Sequence, residues 1–198
     1  MRYKNQLAVC LALALTFSAC DLFKPRDSET PTGSPANAPA FAAEAVIANI
    51  RTSFSGKNVN DYAKLFADTS SGGKSYVFVP TQKAAATYAG FFSRWGVDAE
   101  LSYFRKAVGS VSAASTPDVV FSQTPTITEY HSDSTLYETD YTVYIAPTTY
   151  KGQARFYMSP NKNTAEWAIY RWEDLPPNQD STSTTSLTWS DLKGKFSQ

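Results

Sequence analysis

The 198-residue chain has two cysteines, Cys10 and Cys20, and one histidine, His131. Thiolate and imidazole are the side chains that most readily act as nucleophile, base or metal ligand near neutral pH. These three positions therefore limit the chemistry on offer. His131 lies in Glu129-Tyr130-His131-Ser132-Asp133. Residues two apart on a strand share a face, so Glu129, His131 and Asp133 are the candidate for a base with an orienting carboxylate, or for a weak metal site. The plainer reading is a polar strand end running into the turn His131-Ser132-Asp133-Ser134. Zinc sites draw several His or Cys ligands, and one histidine is too few, so neither a metal nor a cofactor is expected. Ser71-Gly72-Gly73-Lys74-Ser75 has the ending of a phosphate-binding loop, but that motif needs glycine where Asp68 stands. A β-prone run also follows it where the motif should open a helix, so it reads as a loop. Arg155 and Lys162 read as isolated, solvated charges.

Cys20 has a distinctive setting. Arg2 and Lys4 precede an apolar run from Leu7 to Leu15, and small residues come just before the cysteine. That order is the order of a secretory signal. The run is short of the ~20 apolar residues that a membrane-spanning helix needs. Phe17-Ser18-Ala19-Cys20 resembles the lipobox of bacterial lipoproteins, with Phe17 where an aliphatic residue is usual. The resemblance implies that residues 1–19 are removed and that Cys20 becomes a lipidated N-terminus, anchoring the chain to a membrane of the bacterial envelope on its extracytoplasmic side. An ordinary secretory signal with an incidental cysteine is the alternative. Cys10 would leave with the signal, so no internal disulfide could form. Acyl chains contribute about 0.8 kcal/mol per buried methylene, and two or more hold stably.

Residues 20–40 are rich in Pro, Ser, Thr and Ala with no apolar period, which reads as a flexible tether reaching roughly 25 Å. The 18 basic and 18 acidic residues balance, and loss of Arg2 and Lys4 leaves a net charge of −2. With no basic stripe, nucleic acid is not an expected partner. Aromatic residues make up 14% of the chain, a richness that favours a packed globule over disorder. Residues 41–198 are long enough for one domain with a substantial core.

That domain opens helically. Ala43, Ile47, Ile50 and Phe54 share a helical face, with Gly56 as a stop. Asn58 caps a second helix carrying Val59, Tyr62, Ala63 and Phe66. Tyr76–Val79 is a short strand ended by Pro80. Helical stretches follow over 81–95 and 98–108, the latter with Leu101, Phe104 and Val108 on one side. From Pro117 the pattern is strand-like over 118–131, 136–147, 150–159 and 164–174, separated by turns. Helices first and antiparallel strands last make an α+β class.

Two patterns resemble the nuclear transport factor 2-like superfamily, in which N-terminal helices pack on a strongly curved, mainly antiparallel sheet to form a cone. One is the helix pair over residues 53–68. The other is the strand pair 152–158 and 166–174, with Gly152, Trp167, Trp172 and Asp174. The fold hosts enzymes, binding domains and assembly modules alike. Ketosteroid isomerases of this superfamily use an Asp base with a Tyr and a protonated Asp; aligned here, the base falls at Val79 and the tyrosine at Ile50. Neither side chain can transfer or donate a proton, which argues against that reaction.

The resemblance leaves the cone's interior as a pocket for a small apolar ligand, lined by Tyr62, Phe66, Phe91, Trp95 and Tyr103 if those rings do not fill it. On the last strands Ala154, Phe156, Met158, Trp167 and Ile169 are expected to face the helices, which turns Tyr157, Tyr170 and Trp172 outward. Such a cluster needs a cover: a second copy in a homodimer, or the tail 175–198, whose Leu187, Trp189, Leu192 and Phe196 could fold back over it. The expected function is a lipid-anchored binding or accessory module for an apolar ligand or envelope partner. The alternative is a small pocket enzyme of isomerase, dehydratase or cyclase type using Glu129, His131 and Asp133.

Overall fold

Helix α1, Ala43–Ser55, buries Ala43, Val46, Ile47, Ile50 and Phe54 on one face, as the spacing predicts. Gly56 ends it. The Asn58 side chain accepts from the backbone N–H groups of Asn60 and Asp61 and starts α2, Val59–Ala63. This second helix is shorter than expected: Phe66 leaves it to bridge Ile169 of the sheet. The structure, a computed structural model, describes residues 37–69, 74–131, 133–177 and 186–198. The chain divides into units Met1–Gly33 and Ser34–Gln198; the signal, Cys20 and most of the tether lie outside the described residues.

The chain is already packed at Asn37, ahead of Phe41. The Asn37 side-chain amide donates to Ser53 Oγ at 3.1 Å, Asn49 donates to the Ala38 carbonyl at 2.7 Å, and the Trp167 N–H donates to the Ala40 carbonyl at 2.6 Å. The helix expected over 81–95 is broken into α3, Gln82–Thr87, and a 3₁₀ turn, Phe92–Arg94. Gly90, at φ +88°, is in the left-handed region that only glycine enters at little cost. Helix α4 follows as Val97–Gly109.

Six strands make the curled sheet: β1 Val77–Val79, β2 Asp118–Phe121, β3 Thr126–His131, β4 Ser134–Ile145, β5 Thr148–Pro160 and β6 Trp167–Leu175. Their order is β1-β6-β5-β4-β2, and β3 also pairs with β4. Among the described strands only β1 runs parallel to its neighbour, β6. The strand expected over 118–131 is two strands, lying on successive halves of β4. Pro125, which has no N–H for the ladder, sits in the gap between them.

One irregularity reverses an expectation about faces. Tyr157 pairs with Arg171, but Met158 pairs with Ile169, which leaves Tyr170 as an extra residue in β6. A bulge of this kind shifts the inside–outside alternation by one. Ile169 and Trp172 therefore both point inward, and Trp172 is completely buried instead of lying outside with Tyr157 and Tyr170.

The tail forms α5, Trp189–Lys195, with a capping box between Thr188 and Asp191. It does not cover the outer aromatics. Its Trp189 packs edge-on against Trp172 and Phe54, with ring centroids 4.5 and 5.6 Å away, so the tail occupies the concave side and joins the main core with Leu192.

Candidate functional site

Among the residues weighed for a pocket, Tyr62, Trp95 and Tyr103 converge inside the cone and are buried. Phe66 packs behind Tyr62 and Tyr76, at 5.0 and 4.5 Å between ring centroids. Phe91 does not join them. It follows Gly90 at the helix break and is 44% exposed.

At the centre is a residue absent from the sequence expectations, Glu100. Helix α4 turns Glu100, Tyr103, Phe104, Ala107 and Val108 inward, and Leu101, expected beside Phe104 and Val108, is half-buried against the core. Four donors reach the Glu100 carboxylate: Tyr62 Oη at 2.9 Å on Oε1, and Tyr76 Oη at 2.8 Å, Trp95 Nε1 at 2.7 Å and Lys193 Nζ at 2.6 Å on Oε2. Both Glu100 and Lys193 have no solvent exposure. The Lys193 ammonium also lies 3.7 Å from the ring centroids of Phe78 and Trp172, and 5.4 Å from that of Tyr103. Ring faces at such distances attract a cation, more strongly once water is gone. Trp172 contributes its ring and not its donor: Nε1 is buried without a hydrogen-bond partner among the described residues.

A second polar cluster fixes the same helix. Tyr141 Oη donates to Asp174 Oδ1 at 2.6 Å and accepts from the Trp189 N–H at 2.7 Å. The Ser190 N–H and hydroxyl both donate to Asp174 Oδ2, while Ser190 Oγ accepts from the Thr81 N–H. Trp189 Nε1 donates to Tyr103 Oη at 2.7 Å. Gly152 allows this cluster, because a Cβ there would run into the Tyr141 hydroxyl and the Leu175 carbonyl.

Burial sets the proton affinities. It pushes Lys193 down to about 8 against the opposing pull of Glu100. It raises the Tyr62 and Tyr76 hydroxyls well above the phenol range, with the Glu100 charge acting in the same direction. Asp174 is also raised by burial, against the donors from Ser190 and Tyr141. The tyrosines are neutral donors, the ammonium has its carboxylate, and each group spends its hydrogen bonds on its neighbours. At the positions aligned with the isomerase groups, Ile50 is fully buried in the core and Val79 is half-buried on β1.

The Glu129, His131 and Asp133 trio is elsewhere. The ladder shifts between Glu129 and His131, so the two do not keep a simple alternation, and both are exposed. Asp133 pairs instead with Lys74 at 3.7 Å. Among the described residues no group of three His, Cys, Asp or Glu could hold a metal. Of the stretch 71–75, residues 71–73 lie outside the described residues; Lys74 also lies over the Tyr170 ring at 4.3 Å. A surface groove of about 370 Å³ runs past Lys64, Phe66, Lys74, Asp133, Lys162 and Trp167. Arg155 is not isolated: it pairs with Glu138 at 2.5 Å and reaches Glu173 at 4.0 Å on the outer face. Glu129→Gln and His131→Ala should each shift the unfolding free energy by no more than about 0.5 kcal/mol, as exposed substitutions do. Urea titration followed by circular dichroism checks this, and a large loss in either variant would place these side chains in a network absent from the structure.

No protein-family model matches the chain, and no curated protein does. Solved structures do. Bd1075 of Bdellovibrio bacteriovorus is similar over 69% of this chain at 14% identity with a TM-score of 0.50, although the chain spans only 40% of its length. A nuclear transport factor 2-like superfamily protein from Salmonella enterica serovar Typhimurium is similar at 14% identity and a TM-score of 0.50, over 70% of this chain and 91% of its own. Helices first, a curled sheet of mostly antiparallel strands, and these likenesses together place the chain in the nuclear transport factor 2-like fold.

Proposed function

We propose that the chain is a membrane-tethered binding or accessory module, held by lipid on Cys20 and facing the extracytoplasmic side of a bacterial envelope. The observation that carries the module reading is the occupied cone: α5 fills the interior, and Glu100 shares its carboxylate among four donors. A general base must come within reach of the proton it takes, and Glu100, with no solvent exposure and four donors around its carboxylate, is closed off from an incoming substrate while α5 is docked. The enzyme alternative gains no support from Glu129, His131 and Asp133, which are exposed and do not converge. An apolar ligand fits the interior less well than the sequence suggested, since a charged pair stands at its centre. An envelope protein or a second copy is the partner for which Tyr130, Tyr157 and Tyr170 on the outer face are proposed. Among the described residues no helix is long and apolar enough to cross a membrane; the lipid attachment rests on the Phe17-Ser18-Ala19-Cys20 stretch. Feeding cells a fatty-acid analogue should label the wild-type protein and leave Cys20→Ala unlabelled. Equal label on both would overturn the anchor.

A further inference from the structure

We infer that the interior of the cone is a binding site for a primary ammonium on an apolar stem, and that Lys193 is its resident ligand, delivered by the chain itself. This deepens the module reading by naming a ligand class, and rests on it only in taking the cone to bind rather than to react.

Helix α5 is seven residues long. An isolated helix of that length does not persist in water, because nucleation is costly and few bonds repay it. Its helical state therefore comes from docking, which makes α5 a tethered peptide bound to a receptor. Thr188, Ser190 and Asp191 hold its first turn through the capping box and Asp174. Gly194 lets the helix lie against the Tyr88 ring, where any Cβ would clash. Lys193 then sends its stem inward between aromatic rings, and its ammonium ends 2.6 Å from Glu100 and 3.4 Å from Tyr76 Oη.

The receptor half is complete without the lysine backbone. Carboxylate, phenol and the faces of Phe78 and Trp172 come from α4, the segment before β1, β1 itself and β6. A box of rings closed by one carboxylate recognises an organic cation by its charge and its apolar body together. Nothing in it reads the peptide to which the ammonium is attached. A plain buried ion pair would need only the carboxylate; two ring centroids at 3.7 Å on the same nitrogen are what a cation receptor presents. A ligand of this class entering the cone must compete with Lys193, which covalent attachment makes an intramolecular competitor.

Chemical rescue tests the site in the full chain. Lys193→Ala removes the stem and ammonium and leaves the box unfilled. Added n-butylammonium should raise the melting temperature of Lys193→Ala by several degrees, increasing with concentration as a ligand of the folded state does, while wild type, already filled, stays level. n-Butanol of equal length should do much less, and Glu100→Gln combined with Lys193→Ala should abolish the rescue. Rescue by n-butylammonium alone identifies a free amine as the fitting ligand; rescue also by an Nα-acetyl-lysine amide extends the class to a lysine side chain of another protein. If Lys193→Ala does not fold by itself, refolding from urea with n-butylammonium present should recover near-ultraviolet circular dichroism. The inference is overturned if n-butylammonium neither stabilises nor refolds Lys193→Ala, if n-butanol does as well, or if wild type responds equally. Because the assay uses no membrane, an unlabelled Cys20 would leave its result unchanged.

Discussion

Glu100→Ala is expected to lower the unfolding free energy by about 3–5 kcal/mol, the cost of leaving one partner of a buried ion pair alone. The substitution strands the Lys193 ammonium with no solvent exposure and orphans the donors of Tyr62, Tyr76 and Trp95, each a further desolvation cost. The pair itself is not the source of that figure. Charges taken out of water repay only part of their hydration, so replacing both with apolar groups is often neutral or better. Glu100→Leu with Lys193→Met should accordingly recover the part of the loss that comes from the stranded ammonium, while the three donors stay orphaned and keep the rest. Urea midpoints for the two single variants and the double variant, at constant m-value, close the cycle. A Glu100→Ala protein as stable as wild type would show that water reaches the carboxylate.

Trp189→Ala should cost a comparable amount, about 3–5 kcal/mol for removing a fully buried indole. The ring meets Trp172 at 4.5 Å, Tyr141 at 5.0 Å and Phe54 at 5.6 Å between centroids, and its Nε1 holds Tyr103. The loss should be local in its first effect. Amides from Ser190 to Phe196 should exchange rapidly in Trp189→Ala, because the short helix has no stability apart from its docking, while the β4–β5 ladder keeps its protection. Slow exchange throughout α5 in that variant would refute the view that Trp189 is its anchor. The half-buried Phe196 serves as the control, and its alanine variant should lose far less.

Much of the fold is legible in the residues because the local signals agree with each other. Asn58 caps where it should, Gly56 stops α1, three of the four strand-like stretches become single strands, and the first splits in two around Pro125. What escapes is what depends on pairing across the sheet. The Tyr170 bulge has no mark in β6 taken alone, and with it goes the side on which Trp172 sits. The centre of the site escapes for a different reason. Its two charged members carry a signal that is easy to discount: Glu100, Tyr103, Phe104, Ala107 and Val108 follow helical spacing, as do Trp189, Leu192, Lys193 and Phe196. In each stripe a charge stands where an apolar residue is due. Two such exceptions of opposite sign, on helices 93 positions apart, are the trace of a buried pair. By contrast, Glu129, His131 and Asp133 look like chemistry because their types are right, but the ladder shift and their exposure separate them.

The long reach of α5 bears on how the chain is made. Thr81 waits for Ser190 across 109 positions, Tyr76 for Lys193 across 117 and Glu100 for Lys193 across 93. Contacts so distant slow the last stage of folding. At a synthesis rate of about 5–20 residues per second, roughly 5–20 s pass between the making of Glu100 and that of its partner, and the proposed export delays their meeting further. Until α5 docks, the cone is an open cup of rings around an unanswered negative charge, and among the described residues it is α5 that closes it. A chain whose α5 has yet to dock is thus the form most exposed to aggregation and most in need of a holding chaperone.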